Sequence, residues 1–330
     1  MGLARTAAAL LWASAVWATT ACATQPTTTA APAAANGGNR SADPSADPSV
    51  DPSAAAGPRL RVVAAENFWA SIAAQLGGDR VSVSSIITNP STDPHDYEAT
   101  PADARGIATA QLFIQNGIGY DSSWAPKLVA ANPIAGRQVL TVGDVLGLAD
   151  GANPHQWYSR QSVSEVIEAI TAAYTRLDPT DAGWFDTQRE NFESTALTRY
   201  DELEGRIKAK YAGTPIGASE SIVSPLADSL GLQVTTPASF LAAVSEGTDP
   251  SVADKSLIDQ QIKDHQIKVY VYNTQNSTPD VSAEVAEAKA AGIPVTPITE
   301  TLSPPDSTFQ DWMVTELAAL EAALAAGTGN

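Results

Sequence analysis

The sequence predicts an α/β protein of two lobes, each a mostly parallel sheet with flanking helices, joined by one long helix. From Leu60 onward, short apolar runs typical of strands alternate with stretches typical of helices, and this alternation produces parallel sheets covered by helices. The alternation occurs twice, before and after a stretch with a continuous helical pattern. A chain of 330 residues is long enough for two lobes of ordinary size.

In the first half of the chain, strands are predicted in LRVVAA, VSVSSII and LFIQNG. Between the first two, NFWASIAAQLGG predicts a helix that ends at its glycine pair. Thr100 and Pro101 are an N-cap residue and a first-turn proline, so a second helix begins there. Further helices are predicted over residues 122–131 and in SRQSVSEVIEAITAAYTRLDP, which ends at Pro179.

The second half repeats this pattern. Strands are predicted in TPIGAS, LQVTTP, IKVYVYN and IPVTPIT. Helices are predicted in SPLADSLG and DPSVADKSLIDQQIKDH and over residues 280–291 and 307–325. The sequence therefore predicts a second set of parallel strands of similar size.

One long helix is predicted between the two sets. About thirty residues at 1.5 Å each form a rod of about 45 Å, and a rod that joins two lobes should resist a wide hinge motion. The alternative is a pair of shorter helices with a break near Gly205. Apolar side chains recur at helical spacing at Phe185, Phe192, Ala196, Tyr200, Leu203, Ile207 and Tyr211.

The N-terminal segment has the features of an export signal. Residues 1–22 contain Arg5, an apolar run and small residues before Cys22, which predicts a secretory signal and a lipidated cysteine. Thr19 stands where Leu is usual, so cleavage after an alanine with a leftover thiol is the alternative. Residues 23–58 predict a disordered linker, followed by an N-terminal lobe (59–178), the connecting helix (179–212) and a C-terminal lobe (213–330).

Composition excludes several function classes. The net charge of −18 argues against a nucleic-acid partner, because no basic surface exists to neutralise phosphates. The acidic excess suits a cationic ligand or simply keeps the protein soluble. With one cysteine, the chain can form neither an internal disulfide framework nor a Cys-rich zinc or iron–sulfur site.

Four residues stand where a ligand would bind. In open parallel sheets, ligands bind beyond the carboxyl ends of the strands. His95 follows VSVSSII, and His155 lies in a loop before a helix; Glu220 follows TPIGAS and Glu300 follows IPVTPIT. Two neutral imidazoles and two carboxylates make an electrically neutral site for a divalent cation, and metal bound between the lobes would link them.

Each of these residues also has a simpler explanation. A loop histidine after proline is often a turn residue, Glu220 could lie in the N-terminal region of a helix, and Glu300 could be a solvated loop residue. Their joint placement favours the metal site. The third histidine, His265, is predicted to be a surface residue. Trp157 and Tyr158 are predicted to pack beside His155 and fix its loop, and Gly117 and Gly119 in NGIGYDSSW predict a turn.

The motifs resemble those of the metal-binding lipoproteins of zinc and manganese ABC importers, solute-binding proteins whose two lobes are joined by one rigid helix. DPHDYEATPAD is similar to the family's first-ligand motif and NPHQWY to its second. ASES falls where members carry the third ligand, and ITETLSPP where they carry the fourth. The resemblance covers the chain from about Leu60 to the C-terminus.

The resemblance implies a ligand set of His95, His155, Glu220 and Glu300. Many zinc-type members have His where this chain has Glu220, and the fourth ligand is commonly Asp. Residues 121–153 also contain no histidine, whereas zinc members often carry a His-rich loop there. The metal therefore stays open between Mn²⁺, slightly favoured by ligand type, and Zn²⁺, with Fe²⁺ behind.

The function implied is delivery of Zn²⁺ or Mn²⁺ to the permease of an ABC importer. The protein is expected to be a monomer without enzymatic activity, anchored outside the cytoplasm to the cell membrane through lipid on Cys22. A metal-dependent hydrolase is the first alternative, but the sequence lacks HExxH and four protein ligands leave little room for substrate. A surface adhesin of the same fold is the second, although no adhesive patch is evident.

Overall fold

A computed structural model describes residues 59–89, 92 and 97–330. The predicted signal peptide with Cys22, the predicted linker and the first candidate ligand, His95, lie outside the described residues. The fold and the site are therefore built from the remaining chain.

The N-terminal lobe contains a four-stranded parallel sheet of order β2-β1-β3-β4. Side chains of β1 alternate between its two faces: Val62 and Ala64 join one core cluster, and Val63 and Ala65 join another. A central strand buried on both faces requires this continuous apolar sequence. The strands are β1 (Leu60–Glu66), β2 (Val81–Ile87), β3 (Leu112–Gln115) and β4 (Gln138–Thr141), and the helices are α1 (Asn67–Gly77), α2 (Pro101–Ile107), α3 (Ala125–Ala131), α4 (Val142–Leu146) and α5 (Arg160–Leu177).

The connecting segment is helical but not uniform. It comprises α6 (Ala182–Asn191), a π-helical stretch (Phe192–Ala196) and α7 (Thr198–Tyr211). Gly205 lies inside α7, so the alternative of a break at this glycine is wrong. The irregularity occurs instead at the π-helical turn.

The C-terminal lobe contains a second four-stranded parallel sheet, of order β6-β5-β7-β8. β5 and β7 are its inner strands, and the helices pack around them. The strands are β5 (Pro215–Ala218), β6 (Gln233–Val234), β7 (Val269–Asn273) and β8 (Val295–Ile298), and the helices are α8 (Val223–Leu230), α9 (Ala238–Ser245), α10 (Val252–Lys263), α11 (Pro279–Ala290) and α12 (Phe309–Thr328).

The predicted fold class is confirmed, with differences in individual elements. The sequence analysis did not predict β4, α4 or α9. The strand predicted in LQVTTP is only the two-residue β6, and the helix predicted over 122–131 begins at Ala125. None of the helices in the described part of the chain is long and apolar enough to cross a membrane.

The two lobes share one continuous apolar core. Phe68 of α1 stacks on Trp157 with ring centroids 4.1 Å apart, and Trp312 of α12 lies 6.3 Å from Phe68. Because this aromatic contact is buried between the lobes, moving them apart would expose apolar surface. Hydrogen bonds beside it join Asn67 Oδ1 to Leu302 N, Ser71 Oγ to Phe309 N, and the side chains of Gln75 and Gln310.

Candidate metal site

The ends of two strands and one loop bring three of the candidate ligands together. Glu220 follows β5 and Glu300 follows β8, at the carboxyl edge of the C-terminal sheet. His155 belongs to the other lobe, in the loop that leads into the 3₁₀ turn Gln156–Tyr158. One donor atom from each of the three residues lies within 4.8 Å of the others.

All three side chains are withdrawn from solvent, with relative exposures of 0% for His155 and Glu300 and 1% for Glu220. His155 Nε2 lies 4.0 Å from Glu300 Oε2. Donors bound to one ion at about 2.1 Å lie about 3.4 Å apart in a tetrahedral site, so a small inward movement would suffice. The fourth predicted ligand, His95, lies outside the described residues.

The ring of His155 is held in one tautomer. Its Nδ1 lies 2.8 Å from Asn153 Oδ1, and Asn153 Nδ2 donates to the Ser221 carbonyl oxygen at 2.7 Å. The second contact fixes the amide, so Oδ1 is an acceptor and the Nδ1 atom of His155 carries the proton. In the neutral ring Nε2 is then the unprotonated nitrogen, and it faces Glu300, the arrangement that a metal-binding imidazole requires.

Uncharged side chains donate to all four oxygens of the two carboxylates. Asn273 Nδ2 lies 2.6 Å from both Glu220 Oε1 and Glu300 Oε1. Asn276 Nδ2 donates to Glu220 Oε2 at 2.8 Å, and the Tyr120 hydroxyl donates to Glu300 Oε2 at 2.7 Å. These donors orient the acids without placing a positive charge beside them that would compete with a cation.

Gln275 holds the backbone of the loop that carries Glu300. Its Oε1 accepts from the N–H groups of Glu300 and Thr301, at 2.6 and 3.0 Å. Its Nε2 donates to the Thr92 carbonyl oxygen at 3.0 Å. Thr92 follows β2 in the N-terminal lobe and stands three residues before the candidate ligand His95 in the sequence, so Gln275 connects the lobes directly beside Glu300.

Tyr120 reaches Glu300 from a tightly constrained loop after β3. Gly117, Ile118 and Gly119 have positive φ angles of 69°, 59° and 88°, and this conformation is costly for a β-branched residue such as Ile118. The carboxylate of Asp121 accepts the N–H groups of Asn116 and Gly117, both at 2.7 Å. The loop thus combines backbone strain with strong hydrogen bonds, and it presents Tyr120 to the opposite lobe.

The sequence analysis named the three residues that the structure brings together but not the residues that orient them. Asn273, Gln275 and Asn276 lie in YNTQN at the end of β7, and β7 pairs with both strands that lead to the acids. A polar run at the end of the strand between two acid-bearing strands is the signal that could have identified them. His265 is exposed after α10, as predicted.

Comparison with known proteins gives the family. The sequence model of the ZnuA family, described as zinc-uptake complex component A, periplasmic, matches residues 62–323. The chain belongs to the ZnuA family. The match includes all three residues that the structure brings together, as well as His95.

Relatives within this family include several named metal-binding proteins. The manganese-binding lipoprotein MntA of Halalkalibacterium halodurans is 29% identical over 151 residues, covering 45% of this chain and 48% of that protein. The iron-binding protein YfeA of Yersinia pestis is 28% identical over 186 residues, 53% of this chain and 58% of that protein. The chain thus aligns with about half the length of these relatives.

Solved structures share the fold over most of the chain. A Mn-bound point mutant of a periplasmic metal-binding protein from Candidatus Liberibacter asiaticus has a TM-score of 0.68 and 23% identity, covering 81% of this chain and 100% of that chain. The metal-free form of that mutant gives the same values. A crystal structure of ZnuA gives a TM-score of 0.65 at 21% identity, covering 81% and 98%. At these identities the likeness supports the fold.

Proposed function

We propose that this protein captures a divalent transition metal outside the cytoplasm and delivers it to the permease of an ABC importer. The observation that carries the proposal is the buried convergence of His155, Glu220 and Glu300 within 4.8 Å, in a chain of the ZnuA family. Two ionised carboxylates in a buried site repel each other, and a divalent cation bound between them would remove that repulsion. His95, from the loop adjoining Thr92, is proposed as the fourth ligand.

The cargo is Mn²⁺ or Zn²⁺, with Fe²⁺ less favoured. Relatives are named for manganese and for iron, and the family is named for zinc uptake. Carboxylate oxygens suit Mn²⁺ and imidazole suits Zn²⁺, and the proposed set has two of each. Intrinsic affinity favours Zn²⁺ in such a site, so uptake of Mn²⁺ would depend on site geometry and metal supply.

We further propose that the protein is attached to the membrane through lipid on Cys22, is a monomer and has no catalytic activity. Relatives named as lipoproteins of metal transporters support the anchor. A Cys22→Ser variant should be released from membranes into the soluble fraction, whereas the unchanged protein should stay with the membranes. Retention of the variant would contradict the anchor and leave the metal site untouched.

The metal site is tested by elemental analysis of the purified full chain and by Tm measured with chelator, Zn²⁺ or Mn²⁺. A ligand that binds only the folded state stabilises it by about 2.7 kcal/mol at a hundredfold excess over Kd, so we expect a large rise in Tm with one equivalent of metal. The rise should disappear in His95→Ala/Glu220→Ala. It should persist in Glu190→Gln, a control on the exposed face of α6. A double variant that keeps one equivalent and the full shift would refute the ligand assignment.

A further inference from the structure

Asn273 lies between the two candidate acid ligands because of strand order. It is the last residue of β7, which pairs with β5 on one side and β8 on the other. The register aligns Asn273 with Ile298, which stands two residues before Glu300. It also aligns Ala218 with Val271; Ala218 stands two residues before Glu220, and Val271 stands two residues before Asn273. The topology therefore places this side chain between both acids.

The orientation of the Asn273 amide is fixed. Its Oδ1 accepts the N–H of Gln275 at 2.9 Å, and its backbone N–H donates to Ser219 Oγ at 3.0 Å. With Oδ1 occupied by a donor, Nδ2 must face the carboxylates, and it lies 2.6 Å from an oxygen of each. Asn273 is fully buried, so no bulk water competes for these hydrogen bonds.

We propose that Asn273 is a positioning residue of the metal site: its amide bridges Glu220 and Glu300 in the metal-free protein and determines which carboxylate oxygens bind the ion. This inference rests on the proposed function. An amide suits the role because its two N–H groups attract both carboxylates, while its zero net charge leaves their negative charge for a cation. A lysine in this position would itself satisfy the acids and compete with the metal.

The bridge should also affect the choice of metal. Each carboxylate is held at both oxygens, by Asn273 at Oε1 and by Asn276 or Tyr120 at Oε2. A carboxylate held in this way cannot easily turn to bind an ion through both oxygens. The bridge therefore favours a low coordination number, which suits Zn²⁺ better than the oxygen-rich octahedral geometry of Mn²⁺.

The test uses the purified full chain and its Asn273→Ala and Asn273→Asp variants, with Asn191→Ala on the exposed end of α6 as control. Titrations with Zn²⁺ and Mn²⁺ give Kd values, and the absorption spectrum of the Co²⁺-saturated protein reports coordination number. We expect Asn273→Ala to weaken Zn²⁺ binding about 10- to 100-fold, to weaken Mn²⁺ binding less, and to lower the visible Co²⁺ absorption.

Asn273→Asp separates positioning from packing, because it keeps the size of the side chain but replaces the bridging N–H groups with a third negative oxygen. Its metal-free Tm should fall below that of Asn273→Ala, and its metal-induced rise in Tm should be larger. A role in packing alone would leave the Co²⁺ spectrum and the ratio of the Zn²⁺ and Mn²⁺ affinities as in the control.

The outcomes distinguish this inference from the proposed function. If the unchanged protein binds none of the three ions, the proposed function is wrong, and the positioning role with it. If the unchanged protein binds metal while both Asn273 variants keep its spectrum and its affinity ratio, only the role of Asn273 is wrong. Should Asn273→Ala fail to fold, Asn273→Ser, which can donate to only one of the two acids, gives the spectrum and the ratio.

Discussion

Tyr158 of the N-terminal lobe is hydrogen-bonded to Glu316 on α12 of the C-terminal lobe. The same hydroxyl lies 2.7 Å from the Thr299 carbonyl oxygen. Tyr158 has one proton for these two contacts, so both can be hydrogen bonds only if Glu316 supplies a proton of its own. Tyr158 and Thr299 both lie close to the metal site, because Tyr158 is three residues after His155 and Thr299 directly precedes Glu300.

The environment of Glu316 agrees with a protonated carboxyl group. Burial raises the pKa of Glu316 to about 7, although its hydrogen-bond contacts with Tyr158, Thr299 and Trp312 act to lower it. Burial, and then the charge of Glu316, raise the pKa of Tyr158 well above its ordinary value, and Glu300 contributes in the same direction. Near neutral pH, a proton on Glu316 therefore completes the hydrogen-bonded connection between the lobes.

We predict that Glu316→Gln makes the protein more stable than the unchanged chain at pH 8, with a much smaller difference at pH 5. A carboxyl group with a raised pKa contributes stability that is complete below about pH 4.5 and is lost as pH rises through about 7. The loss is at most about 3 kcal/mol. Gln keeps the protonated arrangement at every pH, since its NH₂ group can donate to Tyr158. Tm measured in chelator from pH 5 to 8 checks this, and Glu190→Gln should follow the unchanged protein throughout.

Tyr120→Phe should weaken metal binding by about tenfold and also lower metal-free stability, because a buried carboxylate oxygen loses this donor. The substitution removes the hydrogen bond to Glu300 Oε2, the oxygen that faces His155, and the loss of such a supporting partner typically costs 10- to 100-fold in affinity. Tyr174→Phe is the matched control, because Tyr174 is also buried and its hydroxyl donates to the Ala73 carbonyl oxygen at 2.8 Å. Equal Kd values for the two variants would contradict a role for Tyr120 at the site.

Asp121 and Glu66 form a buried acidic pair in which we expect unequal effects of mutation. Burial, and then the charge of Asp121, raise the pKa of Glu66 well above its usual range. Burial also raises the pKa of Asp121, but the N–H groups of Gly117 and Asn116 act against it. Glu66 is thus the protonated partner, and Asp121 is the carboxylate that holds the Tyr120 loop.

We therefore predict that Asp121→Asn destabilises the protein by about 3 kcal/mol, because an amide would turn a donor toward a backbone N–H. Glu66→Gln should change stability by less than about 1 kcal/mol, since it replaces one neutral group with another of the same shape. Urea denaturation at pH 7 in chelator measures both. A Glu66→Gln variant as unstable as Asp121→Asn would mean that Glu66 carries the charge.

The fold was predictable from sequence because its signals are local. Glycines and prolines separate the apolar runs, and the strand–helix alternation requires parallel sheets. The elements that were missed have weak local signals: β4 is a four-residue strand with Val139 exposed, and α9 (Ala238–Ser245) is a short helix without charged residues.

The candidate site was predictable only in part. Glu220 and Glu300 could be found because each directly follows a predicted strand, and acids in that position suggest a cation. Asn273 depends on the register of three strands, and Tyr120 meets Glu300 across 180 residues of sequence. Neither relationship can be read from local pattern. Glu316 lies on a helix rich in alanine and leucine, where an acid usually indicates the solvent-facing side.

The contact between the lobes leads to a last prediction: metal binding changes the loops of the site but not the packing of the two lobes against each other. Phe68, Trp157 and Trp312 form a buried aromatic contact that an opening motion would break. In hydrogen exchange with and without Mn²⁺ or Zn²⁺, amides in residues 116–121, 219–221, 273–276 and 299–301 should exchange more slowly with metal. Metal stabilises the whole folded state and slows exchange throughout the core, but amides of α1 and α12 should gain no more protection than those of β1, because the packing of these helices does not depend on the ion. Protection of those two helices beyond that of β1 would mean that the lobes open when the ion leaves.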